Sequence, residues 1–157
     1  MASDLYDRDI ATWSEQQADL LRRLARGERV NGVDWENVAE EIESVGRSEV
    51  KGVASQLRMA LVHGLKLAHW PTHPACDAWR SEIGNFLGQA RDSYEPAMAQ
   101  RIDPPLLFAK AMREVAGLRM TGFDKLSFTP PTLPDIATLM DDEFDAAAVE
   151  ALFSEPR

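Results

Sequence analysis

The chain has 157 residues and one cysteine, a length that fits one domain burying about 70% of the surface its unfolded form would expose; a lone thiol, Cys76, rules out an intramolecular disulfide framework and suits a cytoplasmic protein. No apolar run approaches the roughly 20 residues needed to cross a bilayer, and the alternating charges of Asp4, Asp7, Arg8 and Asp9 lack the basic-then-apolar order of a secretion signal. The formal charge of −9 is unevenly placed, since residues 1–50 hold 6 basic and 12 acidic side chains, 51–120 hold 9 and 6, and 121–157 hold 2 and 8, which argues against a surface that is mainly a nucleic-acid footprint.

Proline and glycine punctuate segments whose apolar spacing is helical, and no stretch alternates as a strand would. The first helix is expected from about Asp7 to Arg26, with Ile10, Trp13, Gln17, Leu20, Leu21 and Leu24 on one face and Gly27 as its stop. After a loop containing Asn31-Gly32, Asp34 is placed to cap the next helix, with Glu36 in the first turn where the helix dipole favours it. From there no proline occurs until Pro71, so the spacing predicts one helix over about 34–70, roughly 50 Å long. Gly46, Gly52 and Gly64 are possible bends, and a break near Gly46 with Ser48 capping a second helix is the alternative.

Beyond Pro71 and Pro74, Trp79, Ile83, Phe86, Leu87 and Ala90 mark a third helix, about Ala75 to Tyr94. Pro96 opens a short helix, and Asp103-Pro104 is a start signal for a longer one through Leu106, Leu107, Ala111, Met112, Val115 and Leu118. Phe128 to Pro134 reads as an extended connector. Short helices follow from Pro134 to Met140 and, capped by Asp145, from Ala146 to Phe153, with the acidic run Asp141-Asp142-Glu143 between them. The expected fold is all-α, a helical bundle or irregular α array around the long helix, as a single domain over 1–157 with a main body 1–122 and a connector and acidic tail 123–157 docking on it.

Several blocks of this sequence are distinctive: Tyr6-Asp7, Trp13, Leu20-Leu21, Asp34-Trp35-Glu36-Asn37, the run from Glu40 to Glu49, then Leu57, Leu61, His63, Leu65-Lys66, Trp79-Arg80, Ile83, Thr132-Leu133 and Asp142-Glu143-Phe144. In them the chain resembles the bacterial family called domain of unknown function 29, over nearly its whole length. The resemblance implies a small all-helical bacterial protein and carries over no activity, cofactor or catalytic residue. Where that family tends to have a basic stretch before the counterpart of Trp79, this chain has His69-Trp70-Pro71-Thr72-His73-Pro74-Ala75-Cys76-Asp77, so an anion-binding role is not expected of that loop.

Three constellations are candidates for chemistry. Glu36, Glu40, Glu43 and Arg47 share a stripe at the start of the long helix, with Glu43 and Arg47 at ion-pair spacing. Glu36, Glu40, Glu41 and Glu43 also echo half of the carboxylate set with which helical pyrophosphohydrolases hold Mg²⁺, but no answering Glu-x-x-Asp follows. A second line, Trp35, Ile42, Glu49, Gln56, His63 and Trp70, recurs every seven residues within an apolar stripe that includes Val38, Val45, Val53 and Leu57. Glu49, Gln56 and His63 would interrupt that inward seam, and Glu49 would need a partner from Arg22, Arg23, Arg80, Arg91 or Arg113. The third set is His63, His69, His73 and Cys76; the spacing of His69, His73 and Cys76 suits zinc, but Pro71 and Pro74 break the helix that would align it.

No Gly-x-Ser-x-Gly turn, phosphate loop or dinucleotide fingerprint is present, so catalytic residues stay unassigned and no cofactor or metal is expected. The reading is a non-enzymatic interaction or regulatory module. Its long helix, which no other segment matches in length, meets a protein partner or a second copy; no membrane contact is expected. The alternatives are a metal-dependent phosphohydrolase using Glu36, Glu40, Glu43 and Glu49, which would need Asp92 or Glu95 to converge on them, and weak nucleic-acid binding through Arg80, Arg91, Arg101, Arg113 and Arg119.

Overall fold

The computed structural model describes residues 2–154 and is built from helices: α1 (Ala2–Arg8), α2 (Ile10–Ala25), α3 (Trp35–His69), α4 (Cys76–Ser93), a 3-10 helix (Pro96–Arg101), α5 (Pro104–Ala116), α6 (Ile136–Leu139) and α7 (Ala146–Leu152). Among the described residues there is no strand, only an isolated bridge between Met120 and Phe123. The chain divides into two compact units, Met1–Ser48 and Glu49–Arg157, with the division inside α3.

The long helix forms as one piece of 35 residues, so the alternative break at Gly46 does not occur. The expected first helix is instead two. Asp9 leaves helical geometry, and its carboxylate accepts from the Thr12 backbone N–H at 3.0 Å and the Thr12 hydroxyl at 2.6 Å, which caps α2 and ends α1. The other caps follow their local signals. Asp103, Asp135 and Asp145 accept from the N–H groups of Leu106, Thr138 and Ala148, so α6 starts after Asp135 rather than at Pro134.

In the first unit, α1 meets α2 through an edge-on contact of Tyr6 with Trp13, ring centroids 4.9 Å apart. Among its described residues few are buried: Trp13, Gln17 and Val38. The second unit holds the main core. Val53, Leu57, Leu61 and Leu65 of α3 pack with Ile83 and Leu87 of α4, Leu107 and Val115 of α5, and Leu139, Val149 and Phe153 from the C-terminal segment. Each buried leucine or isoleucine of this kind contributes about 2 kcal/mol.

Polar ties fix the C-terminal segment on that core. Arg80 of α4 grips Glu150 of α7 in a two-pronged pair at 2.9 and 2.8 Å. Arg91 donates to the carbonyls of Met140, Asp141 and Phe144, and Lys125 donates to those of Val115 and Ala116 at the end of α5. His69 and Leu126 exchange two bonds, Leu126 N–H to His69 C=O at 2.9 Å and His69 Nδ1 with Leu126 C=O at 2.6 Å.

Candidate functional site

The start of α3 is held by side chains from α1 and α2. The Gln17 amide oxygen accepts from the Asp34 N–H at 2.8 Å, and the Trp13 indole N–H donates to the Asp34 carboxylate at 3.3 Å. Asn37 closes the other side, donating to the same carboxylate at 2.8 Å. With Asn37 first and Trp13 second, these donors hold the Asp34 carboxyl below its ordinary value. One turn further, the Tyr6 hydroxyl donates to Glu41 at 2.6 Å, and that carboxylate pushes the Tyr6 phenol up to about 12. Tyr6, Trp13, Asp34, Asn37 and Glu41 thus form a polar latch.

The latch takes one side of α3 and leaves another bare. Val38 is buried, whereas Trp35, Ile42 and Val45 are 62%, 67% and 63% exposed. The sequence pattern placed all of these in an inward stripe. The stripe exists, but in the first unit it is covered at Val38 and left largely exposed at Trp35, Ile42 and Val45, and it turns inward again from Val53 onward. Glu49, expected inside and in need of an arginine, is exposed. Of its proposed partners, Arg23 pairs with Glu28, and Arg80 and Arg91 serve the C-terminal segment.

Beside the bare stripe, Glu36, Glu40, Glu43 and Arg47 are all exposed, and Glu43 and Arg47 make the i, i+4 pair at 3.3 Å. Among the described residues no group of three His, Cys, Asp or Glu side chains is arranged to hold a metal ion.

Gln56 and His63 lie in the second unit. The Gln56 side-chain oxygen is buried without a hydrogen-bond partner. His63 is buried, its Nδ1 2.8 Å from the Met59 carbonyl and its Nε2 against the Glu82 carboxylate of α4, with the Phe86 ring tilted against it at 5.4 Å between centroids. Both ring nitrogens therefore face oxygen atoms. Glu82 had no signal in the sequence beyond lying on a neighbouring helix. Glu49, Gln56 and His63 are not brought together, as their seven-residue spacing on one helix requires.

The remaining candidates are spent on packing. His73 stacks on Trp79 at 4.9 Å and accepts from the Ala75 N–H, while the buried Cys76 thiol donates to the Trp70 carbonyl at 3.3 Å. Burial holds the His69 imidazole below its ordinary value. Of the basic residues considered for nucleic acid, Arg80, Arg91 and Arg119 bond within the chain, while Arg101 and Arg113 are exposed. An open depression of about 580 Å³ is lined by Asp135, Thr138, Asp141, Glu143 and Phe144, but Asp135 and Asp141 use their carboxylates on the backbone N–H groups of Thr138 and Glu143.

A family model described as a domain of unknown function, DUF29, matches residues 5–145. The chain belongs to the DUF29 family. A solved α-helical protein of unknown function from Rhodospirillum rubrum is similar to this DUF29 chain, at 31% identity and a TM-score of 0.68, covering 93% of this chain and 95% of that one. No curated protein matches it. Among the described residues of this DUF29 protein no helix is long and apolar enough to cross a membrane. The blocks of the first unit that carried the family resemblance divide in two. Tyr6, Trp13, Asp34, Asn37 and Glu41 build the latch, while Trp35, Ile42 and Val45 point outward.

Proposed function

We propose that this DUF29 protein is a non-enzymatic protein-interaction module whose contact surface is the first half of α3. The observation that carries the reading is the open row of Trp35, Ile42 and Val45. Large aromatic and branched side chains left exposed together on a rigid helix are what a partner buries at the centre of an interface, and the helix-in-groove mode reads anchors at this spacing. The latch supports the same reading, because it fixes the helix start through Asp34 and Glu41 and so presents the row on a preorganised element. A cytoplasmic setting suits the single thiol, Cys76.

Site-specific photocrosslinking in cells tests this. A benzophenone amino acid in place of Ile42 is expected to give one discrete protein adduct, lost when Val45→Glu is added; the same probe in place of the exposed Ala147 of α7 serves as the control. An adduct pattern at position 42 no different from that at 147 would sink the reading.

A further inference from the structure

We infer that the seat of α7 on α3 and α4 is a helix-binding site, filled in the free chain by α7 and open to a partner protein's helix of the same pattern. That pattern is an apolar residue followed directly by a glutamate, with an aromatic residue three positions later. The site is independent of the open row on the first half of α3. What it fits is read from what occupies it: Val149 and Phe153, one helical turn apart, are 1% and 5% exposed, and Glu150 directly follows Val149.

Three features of the seat suit such a helix. Its floor is Gly64, where a Cβ would stand 2.5 Å from the Phe153 ring and 2.8 Å from Val149, so α3 carries a poor helix former where another helix lies against it. Its wall is an aromatic slot: the Phe153 ring stacks on Phe108 of α5 with centroids 5.7 Å apart and meets Phe128 edge-on at 5.8 Å. Its clamp is Arg80, which takes both carboxylate oxygens of Glu150 while its third nitrogen donates to Asp77 of α4 at 3.0 Å. Asp77 therefore braces the guanidinium when Glu150 leaves, a preorganised fork for an incoming carboxylate. A basic residue in the place of Glu150 would meet Arg80 and be rejected.

α7 fills this seat incompletely and can yield it. A cleft of about 380 Å³, bounded by Leu67, Ala68, Pro71, Phe128 and Phe153, stays open at its C-terminal end, so a longer helix has apolar surface left to cover. Arg91 pins the preceding turn through the carbonyls of Asp141 and Phe144, which holds the chain up to Phe144 by contacts that α7 does not share. α7 itself has seven residues, fewer than the roughly 12–15 an isolated helix needs in water, so it is helical because the seat imposes that form. Its tether gives it a high effective concentration, and a helix arriving in trans binds as its competitor.

Fluorescence anisotropy with a labelled peptide of residues 141–154, titrated with the whole chain, tests this. Weakening α7 should strengthen the peptide: a chain carrying Val149→Ala and Phe153→Ala is expected to bind it at least about tenfold more tightly than the wild type, whose own α7 competes. A longer alanine–lysine helix sharing only the counterparts of Val149, Glu150 and Phe153 should bind at least as well. Adding Arg80→Glu to the weakened chain should abolish binding, and a peptide carrying Glu150→Arg should restore it. Should the double variant lose its helical circular dichroism, Glu150→Arg in the chain loosens α7 by charge alone and gives the same reading; loss of helix in both makes α7 a fixed part of the core and overturns the proposal. Equal affinity for wild-type and weakened chains, no binding to either weakened chain, or binding indifferent to Arg80→Glu also overturns it. A wild type that sediments as a dimer, and as a monomer once Val149→Ala and Phe153→Ala are present, makes α7 of a second copy the occupant in place of a partner protein's helix and overturns it too.

Discussion

Glu150 shows how much one distant partner decides. Its carboxylate takes two parallel bonds from Arg80, and they hold it below its ordinary value near 4.5. A carboxyl depressed in the folded state contributes stability that is present above the unfolded value and is lost as the pH falls through the native one. Both side chains are about a third or more exposed, so solvent screening limits the pair to about 1 kcal/mol. Glu150→Gln should therefore lower the melting temperature by about 2–4 °C near pH 7, and the gap to the wild type should shrink as the pH falls below the ordinary value near 4.5 and close once it is below the depressed native one. A gap that persists undiminished in acid would show that Glu150 contributes through packing rather than charge. At this scale the sequence is legible where interactions are local. Asp34, Asp103 and Asp145 are read as caps because a cap spans three residues. Arg80 is read as cationic, but its partner lies 70 residues away, and among many possible acid–base combinations only the fold selects one. The same holds for His63 and Glu82.

Along α3, periodicity reveals a stripe and its length, because an apolar face recurs in sequence whatever covers it. It does not say what covers it, and the two halves differ for that reason: Leu57, Leu61 and Leu65 meet α4 and α5, while Ile42 and Val45 stay largely exposed. The glycines make the same point. Gly46, Gly52 and Gly64 look alike as possible bends, yet the helix runs through all three. A Cβ on Gly64 would stand 2.5 Å from Phe153 and 2.8 Å from Val149, whereas one on Gly52 would meet nothing within 4 Å. Substitution should split them in sign. Gly52→Ala removes backbone freedom from the unfolded chain at no steric cost and should raise stability by about 0.5–1 kcal/mol. Gly64→Ala gains the same propensity but forces the α7 side chains off their seats, for a net loss of about 1–3 kcal/mol. Denaturant midpoints read both; a Gly64→Ala midpoint at or above the wild type would mean that α7 is not seated on this glycine.

The whole molecule combines two units of unequal core. Among the described residues the first buries Trp13, Gln17 and Val38, two apolar residues and one amide, while the second buries the large cluster running from Val53 to Phe153. Local stability follows buried apolar contact, so the first unit depends on its polar latch, and a latch made of part-exposed bonds contributes modestly. Native-state hydrogen exchange should accordingly show the amides of α2 opening at a lower free energy than those of α4 around Ile83 to Ala90.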